Sequence, residues 1–101
     1  MLRGVLREWL ADDRITFTMV KVGLAHVQAL QIVWTNLENL SAGVMAGMLE
    51  QILEARLVRR QVAKHLMERK RMKPREAMRT LAELRADLAV ENSPLNPWKE
   101  S

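Results

Sequence analysis

This chain of 101 residues predicts an all-α fold, and three observations carry the prediction. Apolar residues recur three and four apart through most of the sequence, the spacing of one helix face. Hydrophobic residues make up 49% and charged residues 28%. That is enough apolar surface for a core and an ordinary polar complement for a globular domain. The one strand-like alternation, Ile15-Thr-Phe-Thr-Met19, is absorbed by a longer helical register. Length fits a single helical domain, 1–91, followed by an extended tail, 92–101, with two prolines.

In the first helical segment Leu2, Val5, Leu6, Trp9 and Leu10 form the apolar stripe, with Arg3, Arg7 and Glu8 on the other side. Asp12-Asp13 follows. Acids suit a helix N-terminus, so these two open the next helix. Adjacent residues on one turn do not converge on a substrate atom, so capping explains them better than acid–base work.

The second segment runs over 14–38 as one helix. Ile15, Met19, Val22, Ala29, Leu30, Val33, Leu37 and Leu40 fall within about a third of the circumference at roughly 100° per residue. Val20, Leu24, Val27, Ile32 and Trp34 lie outside that stripe. A helix this apolar all round is central or shared between subunits. His26 belongs to the apolar layer as a packed histidine.

The third segment runs over 41–72. Either Ser41 or a Thr35–Glu38 capping box starts it. Gly43 and Gly47, four apart, offer either a flat helix-packing surface or a loose helix start. From Met45 to Leu53 the apolar face is Met45, Met48, Leu49, Ile52 and Leu53. Continued on the same wheel, that face becomes Arg56, Arg59, Arg60, Lys64, Lys70 and Arg71. The apolar set Val58, Val62 and Leu66 shifts to a neighbouring face. The helix changes environment near Arg56.

Pro74 opens the fourth segment, because proline suits the first helical turn. Ala77, Leu81, Leu84 and Leu88 form a narrow seam. Helices of roughly 25 and 30 residues would each span about 40 Å, too long for one small monomer to cover. The expected architecture is therefore a long antiparallel helical hairpin with two shorter flanking helices, dimerised into a bundle.

Charge is concentrated. Residues 56–79 hold ten Lys or Arg against two acids, Glu68 and Glu76, a local net of +8 in a chain of net +4. Such a block is a handle for something anionic. Within it, Gln61-Val-Ala-Lys-His-Leu-Met resembles the first helix of a helix-turn-helix, where the alanine packs on the second helix. The likeness ends at Met67, where a small residue is usual, and at Glu68 and Lys73, where apolar ones are. No aromatic residue interleaves the block, which argues against single-strand stacking.

Little else carries chemistry. With no cysteine there is no disulfide and no thiolate zinc site. His65-x-x-Glu68 is a single imidazole–carboxylate pair, short of a metal site. No phosphate loop or nucleophile elbow occurs. The N-terminal residues lack the pattern of a signal peptide, and Met19–Trp34 is too short and polar to span a bilayer. A cytoplasmic protein without catalytic role, cofactor or metal is expected.

The first functional expectation is a small protein-binding regulator or adaptor, with Arg56, Arg59, Arg60, Val62, Lys64, Leu66, Lys70, Arg71 and Trp98 meeting an acidic partner surface. Val58, Val62 and Leu66 supply the apolar strip beside the charge. Trp98 is an aromatic anchor in a proline-flanked tail, able to dock on a partner or on its own domain. The alternative is a dimeric DNA- or RNA-binding regulator that sets the same cations on phosphates.

Overall fold

The computed structural model describes residues 2–91, and Trp98 with the rest of the tail lies outside them. Among the described residues there are six α-helices: α1 (Leu2–Leu10), α2 (Asp13–Val22), α3 (Leu24–Asn36), α4 (Ala42–Ile52), α5 (Arg56–Arg69) and α6 (Pro74–Glu91). A short 3-10 turn, Leu37–Asn39, follows α3. The all-α prediction stands. The two long helices do not form as single rods. Each is broken in two.

The first break is at Gly23. Its φ of 145° and ψ of −178° lie where an L-residue is strained and glycine is not. Its N–H still closes α2 on the Met19 carbonyl, at 3.4 Å. The chain then turns, and α3 packs back on α2.

The second break spans Leu53–Ala55. Leu53 and Glu54 close the last turn of α4 on Leu49 and Gln51, and Ala55 is extended, with ψ 126°. The Arg59 guanidinium reaches back from α5 and donates to the carbonyls of Leu53 at 2.7 Å and Glu54 at 2.6 Å. It satisfies acceptors that a helix end leaves open.

Other ends follow the sequence. Asp12 caps α2, accepting from the Arg14 N–H at 3.0 Å. Ser41 caps α4, accepting from the Val44 N–H at 3.3 Å. Thr35 does not cap; its hydroxyl donates to the Gln31 carbonyl inside α3. Arg3 on α1 donates to the carbonyls of Leu37 and Leu40, tying the first helix to the end of the 3-10 turn. Gly43 faces open space, so the glycine pair is not a packing surface at that position.

Packing runs in a ring. α2 contacts α5, α5 contacts α6, α6 contacts α4, α4 contacts α3, and α3 returns to α2. α1 lies across α2 and α4. The enclosed core includes Leu6, Trp9, Ile15, Met19, Val33, Leu49, Ile52, Val58, Val62, Leu66, Leu81 and Leu88. Its radius of gyration is 13.3 Å, the size of a compact domain of about 100 residues. No helix of the described residues is long and apolar enough to cross a membrane.

Candidate docking groove on the basic helix

Helix α5 has two charged sides with opposite fates. The inner one faces α2. Asp12, 5% exposed at its side chain, sits 2.8 Å from His65 Nδ1. Arg14 donates to the same carboxylate from Nε at 3.3 Å and Nη2 at 3.1 Å. It also pairs with Glu68 on α5. Hydrogen bonds from the Arg14 side chain hold the Asp12 carboxyl well below the usual carboxylate range, against the opposing cost of burial; His65 and the Arg14 N–H add to the lowering. An ionised carboxylate only accepts, so His65 Nδ1 carries the hydrogen. His65 Nε2 is buried with no partner.

This constellation pins α2 to α5. Among the described residues no group of three or more His, Asp or Glu is placed to hold a metal ion. His26 is buried, as its position in the apolar stripe implies.

The outer side of α5 borders a groove shared with α6. It encloses about 480 Å³, within the range of binding clefts. Ala63 and Met67 of α5 and Met78, Leu81 and Ala82 of α6 form an apolar floor. Arg56, Arg59, Arg60, Lys64 and Arg85 also line it, and no acid does. Glu76, Glu83 and Asp87 of α6 fall on the far side of its wheel. Arg56, Arg60 and Lys64 are exposed and belong to none of the ion pairs among the described residues. Arg85 also lines a neighbouring cleft with Glu50 and Glu54.

The structure therefore gathers Arg56, Arg59, Arg60 and Lys64, and separates the other sequence candidates from them. Val62 and Leu66 are core residues with 0% and 9% exposure. The apolar strip expected beside the charge, Val58 included, faces inward and is covered by the protomer itself. Arg59 is occupied at the α4–α5 turn. Lys70 pairs with Glu8 of α1. Arg71 sits in the α5–α6 connection at a φ of 56°. Trp98 lies outside the described residues.

Sequence reasoning missed the groove's floor. Met67, Met78 and Ala82 belong to none of the apolar faces read from the sequence, and only the α5–α6 pairing brings them together. Ala63 lines the same groove as residues of α6, and the α5–α6 connection places Arg71, not glycine, in the left-handed position. Comparisons with protein-family models, with curated proteins and with solved structures find no match.

Proposed function

We propose that this protein is a small helical adaptor or regulator that acts as a homodimer and holds an acidic, amphipathic segment of a partner protein in the α5–α6 groove. The observation that carries the reading is the pairing of an apolar floor with an acid-free cationic rim. A helix or extended peptide with apolar residues on one side and Asp or Glu on the other matches both features. Met67 and Met78 give the floor an adaptable surface. Arg56, Arg60 and Lys64 supply the charge that steers and orients the segment.

A second reading draws on a different observation. Arg69, Arg71, Lys73, Arg75 and Arg79 are all exposed around the α5–α6 connection, a cluster suited to phosphates. It lacks aromatic residues for stacking, and a phosphate backbone has no use for the methionine floor.

Titration of a fluorescent acidic amphipathic peptide and of a labelled DNA duplex at two salt concentrations separates the readings. The adaptor reading expects the peptide to bind with a shallow salt dependence. Arg56→Glu with Arg60→Glu should abolish that binding, and Met78→Glu should weaken it about tenfold, the loss of one well-packed anchor. Preferential duplex binding, with a log–log salt slope near −0.9 per phosphate contact, would replace it with the nucleic-acid reading.

A further inference from the structure

The outer face of α2 carries an apolar stripe that the protomer leaves uncovered. Phe17 is 60% exposed and Val20 56%. Beside them on α3, Trp34 is 69% exposed. Asp13 and Thr16 line one surface depression together with Leu30, Gln31 and Trp34. The tryptophan therefore borders the first half of the stripe. Single exposed apolar side chains are ordinary on a soluble protein; three large ones on adjoining helices mark an interaction surface.

The charges along the stripe say what covers it. Asp13, Phe17 and Lys21 follow one another at i, i+4 and i+8, one line along the helix. An antiparallel copy of α2 on a twofold axis through Phe17 sets residue 13 opposite residue 21 at both ends. Each end then pairs an acid with a base. A two-fold interface must be complementary to itself, and this stripe is. The Lys21 ammonium lies 4.6 Å from the centre of the Phe17 ring within the protomer, on the same exposed face, and it swings off that ring to reach the second copy's Asp13. Packed helices stand about 8–10 Å apart, a gap that a lysine and an aspartate bridge.

We infer that α2 is the seam of the homodimer: Phe17 packs on Phe17 of a second copy, Asp13 faces Lys21 of that copy at each end, and Val20 and Trp34 close the flanks. The inference rests on the dimeric part of the reading above. It is independent of the groove, which shares no residue with the stripe. A stable specific interface needs about 800 Å² per partner. The two exposed rings supply roughly 250 Å² of that, and a stable seam requires the outer faces of α2 and α3 around them to supply the remainder.

Sedimentation across a micromolar concentration series tests it. The wild-type chain should reach about twice 11.6 kDa. Phe17→Asp should raise the dimer dissociation constant on the order of 100-fold, as loss of a central aromatic anchor does. Asp13→Lys alone should weaken the dimer about tenfold or more, because it sets Lys against Lys at both ends. Adding Lys21→Asp to it should restore the affinity to within about threefold, since the swapped stripe is again self-complementary. Circular dichroism verifies that each variant keeps its helices, and the charge swap decides alone if Phe17→Asp fails to fold.

A wild-type chain that stays monomeric throughout the series overturns both the dimer and its seam. A dimer indifferent to Phe17→Asp and to Asp13→Lys overturns the seam and leaves the dimer standing. A swap that fails to restore affinity overturns the register. Peptide binding by the groove is measured on the same samples, so none of these results is confused with failure of the docking site.

Discussion

One helix, α5, presents two charged sides, and they are built on opposite terms. Towards α2, His65 and Glu68 meet Asp12 and Arg14 in a partly buried network whose charges are matched. Towards the groove, Arg56, Arg60 and Lys64 stand exposed without an acid among the lining residues. Matched, partly desolvated charges fix the position of a helix. Unmatched, solvated ones leave attraction in reserve for something else. Charge density by itself does not distinguish structure from binding; burial and pairing do.

Breaking the matched side has the largest expected effect. Asp12→Ala removes the α2 cap, both Arg14 contacts and the His65 partner. Loss of one member of such a network plus a cap should cost about 3 kcal/mol in urea denaturation. Arg56→Ala with Arg60→Ala, on the other side of the same helix, should stay within about 0.5 kcal/mol for each change. A pH signature accompanies the asymmetry. Because the folded-state pKa of Asp12 is depressed, its contribution is present above the ordinary carboxylate value of about 3.9 and is lost as pH falls below it. The wild type should lose on the order of 1–2 kcal/mol more than Asp12→Ala between neutral pH and that acid range. Equal acid sensitivity of the two proteins would mean the network does not hold α2 to α5.

A finer cut compares neighbours. Arg59 and Arg60 are adjacent in sequence and read alike on a helical wheel. Arg59 satisfies two carbonyls at the α4–α5 break, whereas Arg60 is exposed at the groove. Arg59→Ala should therefore cost about 1–1.5 kcal/mol, the worth of charge-assisted bonds in a part-exposed setting, with Arg60→Ala near zero. Peptide affinity should respond in the reverse order. If the two variants behave alike in both assays, the division of labour within the basic block is wrong.

These contrasts explain what the sequence made legible. Helix identity, the Asp12 and Ser41 caps and the Pro74 start follow from local chemistry, and each appears where that chemistry places it. The two breaks were hidden for different reasons. Gly23 sits inside an unbroken apolar stripe, and its positive φ has no signature beyond the residue type. The break before Arg56 did leave a signal. The apolar face rotates there, and Val58, Val62 and Leu66 take up a new phase. A continuous helix entering a new environment and a broken helix that keeps its core give the same wheel. Only the packing of α5 on α2 and α6 shows that the second holds, turning the apolar strip inward. The groove was illegible because its floor comes from two helices whose pairing is tertiary. The Asp12–His65 contact joins positions 53 residues apart, beyond any local pattern.

The smallest expected effect probes where the docking side ends. Arg71 holds a φ of 56° in the connection between α5 and α6, a region that costs an L-residue about 1–2 kcal/mol. Met72 N–H and Lys70 N–H both return to the Leu66 carbonyl at 3.2 Å, so the turn closes α5 and is not loose chain. Glycine relieves the strain but gains freedom in the unfolded chain, worth up to about 1 kcal/mol. The net for Arg71→Gly should be a stabilisation near 0.5 kcal/mol, a rise in Tm of about 2–4 °C for a domain this size. Arg71 does not line the groove, so peptide affinity should stay within about twofold. A tenfold loss of affinity in a stabilised protein would extend the docking surface past the groove, onto the exposed cations of the connection. In that case the unmatched side of α5 would continue around the turn, and the cations of the connection would belong to the peptide-binding surface.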